Sequence, residues 1–164
     1  MAFNFSKLSV LVVEDTLPMR KLLTSVLETL GVGTIYVAND GEDGFHTFCK
    51  NNPDIVLTDW HMLPVSGLEL VDRIRKDQRS PNKMVPIIMM SGYSAIGRVG
   101  RARDYGATEF LVKPFSAKDV ARRIAYVINT PRDFVDSEEF FGPDRRRRKI
   151  DNYKGPMRRT VDRQ

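Results

Sequence analysis

The sequence predicts an α/β protein: a doubly wound, five-stranded parallel sheet in the order 2-1-3-4-5, followed by a short carboxyl-terminal extension. Three observations predict it. Five short apolar runs alternate with stretches of helical period between Leu8 and Ile128. The runs are near-continuous rather than alternating, as in strands covered by helices on both faces. Finally, the first, third, fourth and fifth runs end on acids, a hydroxyl or an ammonium, and in open parallel sheets chemistry sits where strands end. With 164 residues and 41% hydrophobic content, the chain has material for one domain, placed at 1–130, and an appendage at 131–164.

Leu8 to Val13 reads as the first buried strand, ending at Glu14-Asp15. Thr16 can cap the next helix, with Pro18 in its first turn; Leu22, Leu23, Val26, Leu27 and Leu30 form its apolar stripe and Gly31 ends it. Thr34 to Ala38 is the second strand. Asn39-Asp40-Gly41 turns into a helix carrying Phe45 and Phe48, which Asn52 and Pro53 terminate. The third strand, Ile55 to Thr58, leads to the single acid Asp59. Ser66 and Glu69 have capping-box spacing and open a helix that buries Leu70, Val71 and Ile74. Val85 to Met90 is the fourth strand, ending at Ser91-Gly92. Ala95 to Tyr105 has helical period but contains Gly97 and Gly100, each costing about 1 kcal/mol against Ala, so a soft helix is expected. Thr108 to Val112 is the fifth strand, ending at Lys113-Pro114. Ser116 and Asp119 cap a last helix that buries Val120, Ile124, Val127 and Ile128 before Pro131.

Composition narrows the class. The sequence contains no apolar stretch of membrane-spanning length and no basic-then-apolar secretory signal, so a soluble, cytoplasmic protein is expected. Cys49, the only cysteine, can support neither a disulfide frame nor a cysteine-based metal site, and beside Phe45 and Phe48 it reads as a small buried hydrophobe.

The predicted strand order gathers Glu14, Asp15, Asp59, Ser91 and Lys113 around one crevice. Clustered carboxylates repel one another unless a cation or proton relieves them, and oxygen-only ligands favour Mg²⁺ or a similarly hard ion. A metal, a hydroxyl (Ser91) and an ammonium (Lys113) are what the peripheral oxygens of a phosphoryl group require, and a central carboxylate can be the nucleophile. A phosphatase with an Asp nucleophile would carry Asp-x-Asp, but His61 occupies the second position. A flavodoxin-type phosphate cradle would be repelled by Glu14-Asp15. Nucleotide-binding glycine loops and the metalloprotease helix motif are absent.

Taken in order, Glu14-Asp15, Asp59, Ser91-Gly92 and Lys113-Pro114-Phe115 resemble the receiver domain of two-component response regulators of the single-domain type, over about residues 7–130. The resemblance implies a flavodoxin-like receiver fold and a phosphoryl group accepted on Asp59 from a histidine kinase or histidine phosphotransfer protein. Asp15 and Asp59 would bind Mg²⁺ directly with the main-chain carbonyl of His61, and Glu14 through water. Lys113 would pair with the phosphoryl group, Ser91 would hydrogen-bond to it, and the Lys113-Pro114 bond would be cis. Ser91 and Phe110 would form the switch, and the surface built by 95–105, the fifth strand and the last helix would carry the signal to a downstream protein, with Arg98, Arg101 and Arg103 making it basic. The family implies a bacterial, cytoplasmic phosphoprotein, monomeric or dimerising on phosphorylation, whose only catalysis is its own phosphorylation and dephosphorylation. Two departures stand out: Leu63 separates Met62 from Pro64, and Glu14 stands where Asp is commoner.

The extension splits by charge. Residues 131–142 hold one Arg and four acids, whereas 143–164 hold nine basic residues and three acids. Gly142-Pro143-Asp144-Arg145-Arg146 is echoed thirteen residues later by Gly155-Pro156-Met157-Arg158-Arg159. Thirty-four residues with so few core candidates cannot build an independent DNA-binding domain. An extended or disordered tail is expected, with Phe134, Phe140 and Phe141 as docking residues and Arg145 and Arg146 meeting phosphate or carboxylate groups. A regulator that binds nucleic acid through this tail remains the alternative, weakened by the preceding acids and by the lack of aromatics among the arginines.

Overall fold

The computed structural model describes residues 4–92, 103, 105–137 and 140–144. Strands β1 (Ser9–Val13), β2 (Thr34–Ala38), β3 (Ile55–Asp59), β4 (Ile87–Ser91) and β5 (Glu109–Val112) form one sheet in the order β2-β1-β3-β4-β5. Every neighbouring pair is parallel, as the sequence predicts. Helices α1 (Leu17–Leu30), α2 (Gly41–Asn51), α3 (Gly67–Lys76) and α4 (Ala117–Asn129) cover it. The Ala95–Tyr105 segment lies almost entirely outside the described residues.

Two apolar layers follow from the period of two along each strand. Val10, Val12, Leu57, Ile88, Met90 and Leu111 pack with Leu23 and Leu27 of α1 and with Val120, Ile124 and Val127 of α4. Leu11, Val13, Val56, Ile87 and Met89 face Phe45 and Phe48 of α2 and Leu70, Val71 and Ile74 of α3. Leu22, expected on the α1 stripe, stands half exposed.

The caps differ in detail from expectation. Ser116 and Asp119 make the full reciprocal box at the head of α4, Ser66 at the head of α3 accepts the Glu69 amide only, and Asp40 caps α2 by accepting the Asp43 amide. Thr16 makes no side-chain cap bond; its hydroxyl donates to Glu14 Oε1 at 3.0 Å. The nearby acid competes successfully for that hydroxyl.

The acidic part of the extension is folded, where an extended or disordered tail was expected. Strands β6 (Phe134–Asp136) and β7 (Phe141–Pro143) pair antiparallel. Phe134 and Phe141 meet with ring centroids 5.6 Å apart, and the Arg75 guanidinium lies 4.9 Å from the Phe134 centroid. These aromatics are thus used within the chain.

Candidate functional site

Strand register builds the site. Val13 is level with Thr58, so Glu14 and Asp59 emerge side by side at the carboxyl ends of β1 and β3. Asp59 is level with Met90 and Ser91 with Val112, which brings Ser91 and then Lys113 to the same rim. The Lys113 amide donates to the Ser91 carbonyl at 2.7 Å, and the Lys113-Pro114 bond is cis, as the resemblance implies.

The side chains converge. Lys113 Nζ lies 3.1 Å from Asp59 Oδ1 and 3.4 Å from Glu14 Oε2. Asp59, 9% exposed, also accepts the Trp60 amide at 2.9 Å on Oδ1. Glu14 is only 1% exposed; its Oε1 accepts the Thr16 amide and hydroxyl, while Arg20 donates to its main-chain carbonyl. Burial, then repulsion by Asp59, pushes the Glu14 carboxyl above its ordinary value, against the pull of Lys113 and the Thr16 bonds.

Glu14, Asp15 and Asp59 each offer an oxygen within 4.8 Å of the others. Asp15 is exposed and the other two are buried. An all-oxygen set whose buried member is already repelled by its neighbour fits a hard divalent cation. His61, on the loop after β3, lines an open cleft of about 510 Å³ with Asp15, Met62, Leu63 and Ser66. The inserted Leu63 is 85% exposed and precedes a cis bond to Pro64, so the departure in this loop points outward into solvent.

Ser91 is buried at the rim. Phe110 is level with Met89 and half-buried against the α2 and α3 layer. Phe140 and Phe141 belong to the hairpin region, away from the rim. Arg98, Arg101, Arg145 and Arg146 lie outside the described residues.

Sequence reasoning missed several contributors. The Trp60 amide and the Thr16 hydroxyl are main-chain and turn chemistry that residue type does not announce. At Gly67, the first residue of α3, a side chain would run into the Asp59 carbonyl. At the opposite end of the sheet, Arg75 is 1% exposed, although its place four residues after Val71 on the apolar stripe was a usable signal. Glu109, on the inner face of β5, is buried with Arg123 at 3.1 Å.

Residues 10–125 match the family model described as the response regulator receiver domain. The chain is 30% identical over 124 residues to chemotaxis protein CheY1 of Helicobacter pylori, covering 75% of this chain and 98% of that one. It is 33% identical to the probable transcriptional regulator ycf27 of Guillardia theta, with 75% of this chain covered but only 46% of the relative. Among solved structures, Vibrio cholerae chemotaxis protein CheY4 is similar with a TM-score of 0.67 at 26% identity, covering 73% of this chain and 98% of that one. A putative response regulator from Chloroflexus aurantiacus gives a TM-score of 0.69 at 25% identity, covering 74% and 98%. Rim chemistry, strand order and family model agree, and the chain belongs to the response regulator receiver domain family of two-component signalling.

Proposed function

We propose that Asp59 is the phosphoryl acceptor of this receiver, loaded by a histidine kinase or a histidine phosphotransfer protein. The observation that carries the reading is the Lys113 ammonium, 3.1 Å from Asp59 Oδ1 inside an all-oxygen acid cluster. Oδ1 takes the Lys113 and Trp60 donors, and we assign attack on phosphorus to Oδ2. As the new O–P bond forms, the donor's P–N bond breaks and its electron pair leaves with the imidazole nitrogen. Lys113 and the Ser91 hydroxyl stabilise charge on the transferring group's peripheral oxygens.

Glu14, Asp15, Asp59 and the His61 main-chain carbonyl would hold Mg²⁺, which supplies charge neutralisation between the acids and the incoming phosphoryl group. The chain's chemistry is then confined to its own phosphorylation and dephosphorylation. Phosphoryl capture adds about two negative charges at the rim and shifts a population between two arrangements of Ser91 and Phe110. A downstream protein reads that shift on the β5 and α4 face. Among the described residues no helix is long and apolar enough to cross a membrane, and the reading places this switch in the cytoplasm.

The test is intact mass after incubation with Mg²⁺ and acetyl phosphate. Wild type gains one phosphoryl group, Asp59→Asn gains none, and removing the metal with a chelator abolishes the adduct. An equal adduct in Asp59→Asn would remove Asp59 from the mechanism.

A further inference from the structure

The hairpin sits at the opposite end of the sheet from Asp59, against the segment that leads into β5. Arg75, near the end of α3, connects the two. Its Nε donates to the Gly106 carbonyl at 2.9 Å, and NH1 donates to the carbonyls of Lys83 at 2.8 Å and Val85 at 2.7 Å. NH2 reaches the Thr108 hydroxyl at 3.3 Å, and that same oxygen accepts the Ile87 amide at 3.0 Å. Thr108 in turn donates its amide to the Ile87 carbonyl at 2.8 Å, so one buried guanidinium fastens the start of β5 to the start of β4. Burial pushes that guanidinium down to about 9, leaving it charged at neutral pH.

The hairpin closes over this knot. Phe134 lies against the guanidinium, and Gly142 and Pro143 are buried. A methyl group added at Gly142 would stand 2.7 Å from Phe140 Cζ and 3.0 Å from Gly106 Cα, so the Phe140 ring and the Gly106 backbone would have to give way. Gly106 itself has φ +111. From this docking point, β5 runs four residues to Lys113 at the rim.

We propose that the hairpin is a clamp on the start of β5, and that its docking is positively coupled to phosphoryl capture at Asp59. This rests on the reading of Asp59 given above. A phosphoryl group held by Asp59, Ser91 and Lys113 cross-links the carboxyl ends of β3, β4 and β5 and suppresses opening of the β4–β5 unit. The hairpin docks on a surface that exists only while the starts of those two strands are paired. Both events stabilise one closed state, and linkage makes the effect reciprocal. The hairpin thus belongs to the switch although it is remote from the acids.

The experiment uses the full chain and hydrogen exchange read by mass spectrometry, with Mg²⁺ and beryllofluoride as the equilibrium phosphoryl mimic. The hairpin amides of Ser137 and Asp144, which donate to Phe140 and Asp133 carbonyls, should exchange about fivefold more slowly once the anion saturates the site. Phe134→Ala and Gly142→Ala should speed exchange of residues 108–111 without any anion, and weaken beryllofluoride binding by the same factor. Asp136→Asn, on the exposed side of β6, should change neither. Hairpin exchange that is equal with and without the anion overturns the coupling. Unchanged exchange of 108–111 in both variants overturns the clamp. A wild type that binds no beryllofluoride and takes no phosphoryl group overturns the reading of Asp59 and the coupling with it, while the clamp is still judged by the anion-free variants.

Discussion

At Glu14, burial and Asp59 act against the charge that Lys113 and Thr16 favour, and the first two dominate. A carboxyl raised in the fold binds its proton more tightly there than in the unfolded chain. Stability therefore falls as pH rises from the ordinary value of 4.5 through the raised one, and the loss is fully present above it. Glu14→Gln keeps an oxygen that can accept from Thr16 and removes the buried charge. With metal chelated, its melting midpoint at pH 7 should exceed wild type by roughly 2–4 °C, the worth of about 1 kcal/mol in a chain of this size. The gain should vanish below pH 4.5, where both states of wild type carry the proton, and reverse in excess Mg²⁺, where the acid has a partner. A midpoint unchanged or lowered at pH 7 in chelator would show that the Lys113 contact outweighs the desolvation.

The turn from β3 into α3 holds the acceptor by backbone contact. The Gly67 amide donates to the Trp60 carbonyl at 2.9 Å, and the missing side chain at 67 lets the chain pass against the Asp59 carbonyl. Gly67→Ala should displace the end of β3, costing roughly 1–3 kcal/mol of stability as overpacked sites do. A displacement of the nucleophile of this kind should slow acetyl phosphate loading by about 10–100-fold; loading at the wild-type rate would mean the turn yields elsewhere. Elements like this were legible where the signal is local. Strands β1, β3 and β4 could be read because they are buried on both faces, and Asp59, Ser91 and Lys113 because they end strands or follow them directly. Arg75 was not, since a charged residue on an apolar stripe is tolerable only with the carbonyls of Lys83, Val85 and Gly106 gathered from distant sequence. The hairpin failed for the same reason: Phe134-Val135-Asp136 and Phe141-Gly142-Pro143 are too short to be stable alone, and what orders them is a guanidinium some sixty residues earlier.

Among the described residues, the fold continues past 130 through Asp144, whose amide reaches back to the Asp133 carbonyl, and the arginine run begins at the next residue. Charge divides at the same point: 131–144 carries one basic residue and five acids, and 145–164 nine and two. The two parts of the extension should therefore separate in their effect on stability. Removing 145–164 leaves every described contact in place and should lower the melting midpoint less than the longer deletion does. Removing 133–164 exposes Arg75 and strips away its aromatic cover and the Phe134–Phe141 pair. A cation–π contact and an aromatic pair together are worth about 2 kcal/mol. At that value the midpoint should drop by roughly 4–8 °C. Equal midpoints for the two deletions would return residues 133–144 to the status of a tail, because a hairpin that contributes nothing to the fold cannot hold the start of β5.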